Sequence, residues 1–63
     1  MVNMAMKQIV IVWDKPHEIT VHQKSKSVWI AVGEYMGERL EVKRSSATQA
    51  TSAWREAARY RGN

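Results

Sequence analysis

The order of apolar and polar residues along the chain predicts four β-strands followed by one helix. Residues 8–13 are mostly β-branched and apolar, which is typical of a strand buried on both faces. Residues 18–24, 28–33 and 39–43 place alternate side chains on opposite faces, as half-buried strands do. Short connections between these segments favour antiparallel neighbours. The predicted class is α+β, with a three- to four-stranded antiparallel sheet and a carboxy-terminal helix on one face.

Three short segments carry the residues expected of turns. Residues 15–17 contain Pro16, which lacks the N–H that a ladder needs, so we expect the first strand to end there. Ser25 and Lys26 form a plausible short turn. Residues 35–38 contain Gly37, which can adopt positive φ and suits a hairpin.

The helix has the clearest local signals. Ser46 can cap its amino terminus, and Gln49 stands three residues on, as in a capping box. Gly62 stands where a glycine commonly ends a helix. One stripe of apolar residues recurs at helical spacing and consists of Ala47, Ala50, Trp54, Ala57 and Ala58.

The alternating strands divide into two rows of side chains. The apolar row suits the face beneath the helix and consists of Ile19, Val21, Val28, Ile30, Val32, Leu40 and Val42. The opposite row then consists of Thr20, His22, Lys24, Trp29, Ala31, Arg39 and Lys43. Which face the helix covers stays open, because the first strand is apolar on both.

The length of the chain predicts one small domain that gains from self-association. We expect residues 1–6 to form a flexible leader and residues 7–63 a single domain. A chain of this size buries only about 60 % of its unfolded surface, and no cysteine is present to add disulfides. We therefore expect a homodimer, with Ile9, Ile11 or Trp13 at the subunit contact.

No chemistry-bearing motif is recognisable. The chain has no apolar run of about 18 residues, and residues 1–6 lack the apolar core of a signal peptide, so we expect a cytoplasmic protein without membrane contact. His17 and His22 match no metal-ligand spacing, and no nucleophile elbow or phosphate loop is present. We therefore expect no catalysis, cofactor, metal or small-molecule substrate.

The distribution of charge indicates an anionic partner. The net charge is +4, and residues 1–42 sum to zero, so the excess lies in residues 43–63. Basic groups beside an aromatic ring can neutralise phosphates and stack on bases. The candidate nucleic-acid contacts are Trp29, Arg39, Lys43, Arg44, Arg55 and Arg59. The alternative is a solvated, solubilising surface.

Two segments are similar to parts of a known DNA-binding family. Residues 28–32 (Val-Trp-Ile-Ala-Val) and residues 50–58, with Arg61 and Gly62 after them, resemble the integrase-type DNA-binding domain of the plant ethylene-response-factor family. That resemblance implies a sheet that reads DNA, with Trp29 as the matching tryptophan.

Trp29-Ile30-Ala31, Gly37 and Ser46 also resemble HicB-like antitoxin domains. This second resemblance implies a module that binds a small partner protein, often as an oligomer. The sequence thus leaves two hypotheses: a nucleic-acid-binding module, or a homodimeric protein-interaction module with no nucleic-acid role.

Overall fold

The computed structural model describes residues 5–61, which form four strands and one helix. The strands are β1 (Ala5–Val12), β2 (Lys15–Ser25), β3 (Val28–Tyr35) and β4 (Glu38–Arg44), and the helix is α1 (Ala47–Arg61). The strands form one antiparallel sheet in the order β1-β2-β3-β4, and α1 packs on one face. The predicted class and element order are confirmed. Within the described chain, no helix is long and apolar enough to cross a membrane.

The first strand begins inside the segment that the sequence assigns to a leader. Ala5 and Met6 are strand residues that pair with His22 and Val21, and Met6 packs against the core. Ala5 and Met6 of the predicted leader therefore belong to the sheet. Residues 1–4 lie outside the described residues.

The first hairpin turns before Pro16, not around it. Trp13 and Asp14 form the turn and both have positive φ, 51° and 66°. Two successive positive φ values are characteristic of the type I′ turns that match hairpin twist. Pro16 lies within β2 opposite Ile11 of β1, and the ladder with β3 runs only from Thr20 onward. The missing N–H is tolerated there because β2 pairs only with β1 at that point.

The start of α1 and its buried stripe agree with the prediction. The Ser46 hydroxyl accepts a hydrogen bond from the Gln49 backbone N–H at 3.1 Å, which makes Ser46 the amino-terminal cap. The Gln49 side chain accepts a bond from the Ser45 hydroxyl at 2.8 Å instead of from the Ser46 backbone N–H, so only the Ser46 half of the predicted capping box forms. Ala50, Trp54 and Ala58 are fully buried. The predicted stop at Gly62 lies outside the described residues.

The assignment of β3 residues to the two sheet faces was wrong. Val21 lies directly opposite Ala31, and opposite residues share a face, so both lie in the core beneath α1. The β3 residues on that face are Trp29, Ala31, Gly33 and Tyr35. The aliphatic row, Val28, Ile30 and Val32, faces away from the helix. The aliphatic row was predicted to meet the helix, but α1 packs where the small residues Ala31 and Gly33 leave room for Trp54.

Gly33 provides the space that the helix needs. A Cβ atom at this position would lie 2.7 Å from Ile19 Cγ2 and 3.1 Å from Trp54 Cζ2. The Trp54 indole N–H donates to the Leu40 carbonyl oxygen at 3.1 Å, which anchors the ring at β4. A larger residue at position 33 would therefore displace the anchored ring or Ile19.

Replacing Gly33 with alanine should lower the free energy of unfolding by about 1–3 kcal/mol, because the added methyl group overlaps Ile19. Urea denaturation measures the change. Gly33→Ala combined with Ile19→Ala is the control, since truncating Ile19 relieves the overlap. The double variant should lose less stability than the two single variants together. Strictly additive losses would show that the close contact does not constrain position 33.

Candidate nucleic-acid interface

The two ends of the sheet contain different parts of the chain. One end, named here the basic end, contains the turn at Lys26 and Ser27, the last residues of β4 and the start of α1. The other, the hairpin end, contains the turns at residues 13–14 and 36–37. The last residues of α1 also reach the hairpin end, because Arg61 forms an ion pair of 2.6 Å with Glu38.

The whole net charge of the protein lies at the basic end. Four basic residues lie there: Lys24, Lys26, Lys43 and Arg44. Residues 19–33 and 42–55 contain no Asp or Glu. The other six of the ten basic residues are matched by the six acidic residues of the chain. Five of these acidic residues lie in the middle of the sheet or toward the hairpin end, and the sixth, Glu56 of α1, lies near Trp13. The +4 charge is therefore concentrated, not spread.

Trp29 connects the two strand ends that carry these charges. Its ladder partners are Gln23 on β2 and Arg44 on β4, so it lies between them. With neighbouring strands about 4.8 Å apart, the Cα atoms of Gln23 and Arg44 are separated by about 10 Å. The Gln23 amide Nε2 donates to the Lys26 carbonyl at 3.3 Å and supports the turn. Trp29 packs partly against the core, and Arg44 is the basic residue directly beside it on the helix side of the sheet.

The amino terminus of α1 adds positive potential to the same end. Arg44 immediately precedes the capping segment, and its Nη1 donates to the Lys43 carbonyl at 2.6 Å. The first turn of α1 contains no acidic residue. The partial positive charge of the helix amino terminus is therefore not offset within the helix itself.

The predicted grouping of Trp29 with Arg39 and Lys43 on one exposed sheet face was wrong. Trp29 and Arg44 lie on the helix side of the sheet, whereas Arg39 and Lys43 lie on the outer face, which is the face opposite α1. Lys43 still reaches the basic end, because it neighbours Arg44. Arg39 is distant from that end, and it forms a 3.5 Å ion pair with Glu41. Three of the predicted contacts, Trp29, Lys43 and Arg44, are thus brought together.

Arg55 and Arg59 lie beside the first hairpin. They line a depression together with Ile11, Trp13 and Asp14. The Arg59 guanidinium stacks over the Trp13 ring, with its Cζ 5.2 Å from the ring centroid. This cation–π contact secures a turn whose positive φ is unusual for an aromatic residue. Arg59 therefore makes an intramolecular contact with the first hairpin.

Lys24 and Lys26 were not among the predicted contacts. The signal that could have identified them is the absence of Asp and Glu from residues 19–33. The net charge of residues 1–42 is zero, because acidic residues elsewhere in that segment balance these lysines, so the sum does not show the basic cluster. In the folded chain, Lys24 and Lys26 lie at the basic end, whereas those carboxylates lie in the middle of the sheet or toward the hairpin end.

Comparison with protein-family models, curated proteins and solved structures gives no match. The two family resemblances therefore stay predictions. Within residues 5–61, no group of three or more His, Cys, Asp or Glu side chains is placed to hold a metal ion. The geometry and charge of the basic end remain as the indications of function.

Replacing Arg59 with alanine should lower the free energy of unfolding by about 0.5–1 kcal/mol, because it removes the contact that holds Trp13 in its turn. Arg55→Ala is the matched control, since it removes the same charge from the same side of α1 without breaking the stacked contact. Thermal unfolding compares the two variants. Equal losses would show that stacking on Trp13 does not stabilise the hairpin.

Proposed function

We propose that the protein is a non-enzymatic nucleic-acid-binding module that contacts the phosphate backbone through its basic end. The observation that carries this proposal is the location of the entire +4 charge at Lys24, Lys26, Lys43 and Arg44. Lysine and arginine side chains that neutralise phosphates release condensed counterions, which supplies affinity for any sequence. Positive groups at the ends of β2 and β4, on either side of β3, can contact more than one phosphate at once.

Three further features of the basic end support nucleic-acid binding. The Trp29 side chain is partly exposed between the ends of β2 and β4, where its ring can contact a sugar or a base. The Arg44 guanidinium can bind a phosphate through two parallel hydrogen bonds. The amino terminus of α1 attracts negative charge at the same end.

The outer face does not favour the sheet-based DNA contact that the integrase-type resemblance implies. Away from the basic end, the outer face carries two basic residues, Lys7 and Arg39, against three acidic residues, Glu18, Glu34 and Glu41. The proposed site therefore keeps Trp29, Lys43 and Arg44 and adds Lys24 and Lys26. It leaves out Arg39, Arg55 and Arg59. We also propose a cytoplasmic location for this activity; a chain without cysteine needs no oxidising compartment.

A second candidate function is a homodimeric protein-interaction module. It is favoured by Ile9 and Ile11 on β1, whose side chains are 62 % and 52 % exposed on the outer face. Isolated exposed isoleucines are common, but two on one edge strand form a contiguous apolar strip. A folded dimer that binds no nucleic acid at low salt would favour this second function.

Affinity for labelled duplex DNA should fall steeply between about 50 and 200 mM salt. Four phosphate contacts correspond to a slope of about −3.6 in a plot of log affinity against log salt, and hence to a loss of about 100-fold. Lys24→Ala combined with Lys26→Ala should reduce the slope by nearly half and weaken binding to all sequences alike. Fluorescence anisotropy measures both quantities.

Lys15→Ala combined with Arg55→Ala is the control, because it removes two positive charges away from the basic end. This control should leave the slope close to that of the unmodified chain. An equal reduction in both double variants would mean that net charge matters and its location does not. Absence of binding at the lower salt concentration would contradict the proposal as a whole.

A further inference from the structure

The two edge strands of the sheet differ in how well they are protected against pairing with another chain. An edge strand exposes a row of unpaired N–H and C=O groups, and charged side chains usually discourage its use as a template. β4 carries three charged residues on its outer face, Arg39, Glu41 and Lys43. β1 carries Ile9 and Ile11 there, with Lys7 as its only charged residue.

β1 also has a regular backbone. Its ladder with β2 runs without a register shift from Ala5 opposite His22 to Val12 opposite Lys15. The strand contains neither proline nor glycine. Among residues 5–61 no strand pairs with the second edge of β1, and this edge has eight successive residues in regular extended conformation, which is the geometry that a further strand requires.

We infer that a second copy of this chain pairs with the free edge of β1 through its own β1, in antiparallel orientation. Residues that lie directly opposite in a ladder share a face. Ile9 and Ile11 of both copies would then lie together on one outer face, and both helices would lie on the other. A ladder centred on Ile9 places Lys7 opposite Ile11 of the partner subunit, where the aliphatic part of the lysine can cover the isoleucine.

The charge distribution distinguishes the antiparallel arrangement from the parallel one. Parallel pairing would place the two basic ends, each carrying +4, side by side. Antiparallel pairing moves them to opposite ends of the shared ladder, about 26 Å or more apart for eight residues. That separation exceeds the screening length of about 8–10 Å at physiological salt, so the basic ends would hardly repel each other. A two-fold axis also closes the assembly at two copies.

Sedimentation equilibrium of the full chain tests this inference. The expected mass in the micromolar range is twice the 7.3 kDa of one chain. Ile9→Lys should return the mass to that of one chain, because two lysines would meet at the centre of the ladder. Tyr60→Lys is the matched control, since it replaces another exposed large side chain, 80 % exposed and on α1, by the same charged residue and should stay dimeric.

Hydrogen exchange of the unmodified chain locates the contact. Alternate backbone amides of β1 point to the free edge, and edge pairing should protect these amides as strongly as those bonded to β2. A dimer in which they exchange rapidly would instead associate through its outer faces and would overturn the inference. If Ile9→Lys proves unfolded by circular dichroism, Ile11→Lys replaces it at a side chain that is also half exposed.

Three mass results would also overturn the inference. They are a single-chain mass at every concentration, a mass that grows beyond two copies, and an Ile9→Lys variant that remains dimeric. The inference does not depend on the proposed function. Sedimentation without nucleic acid reports on β1, whereas DNA titration reports on the basic end.

Discussion

Burial of the Trp54 ring between α1 and the sheet is the contact on which the rest of the structure depends. The ring is fully buried, and its N–H is bonded to the Leu40 carbonyl oxygen. A ring of this size fits only over small residues, and β3 supplies Ala31 and Gly33. This requirement decides which face of β3 lies in the core. The more apolar row of β3 must then face outward, where the single helix of the described chain cannot cover it.

The sequence predicted those features whose signals are local. The cap at Ser46 and the stripe through Trp54 depend on residues within a few turns of one helix, and both are present. Local signals do not show which row of β3 side chains faces the helix. An alternating pattern shows which residues share a row, but the row that meets the core depends on the register with β2 and on Trp54, which is distant in the sequence. Likewise, no local signal shows that Arg59 stacks over Trp13 and secures its turn.

For the candidate site, too, the sequence does not show which charged residues lie close together in the folded chain. The sequence places the excess charge after residue 42, and Arg55 and Arg59 contribute to that sum as much as Lys43 and Arg44 do. In the folded chain, Asp14 lines the same depression as the two helix arginines. The antiparallel order of the strands instead brings the turn at Lys26 to the end of the sheet where β4 finishes. Topology, not composition, therefore concentrates the charge.

The basic end and the free edge of β1 place opposite demands on self-association. A chain with its whole net charge at one end resists any assembly that brings two such ends together, most strongly at low salt. The exposed isoleucines of β1 favour assembly because water is removed from them on contact. Antiparallel pairing satisfies both demands, since it joins the isoleucines while keeping the charged ends apart. It also leaves each basic end accessible, so a long nucleic acid that reached both would bind with the added effect of high local concentration.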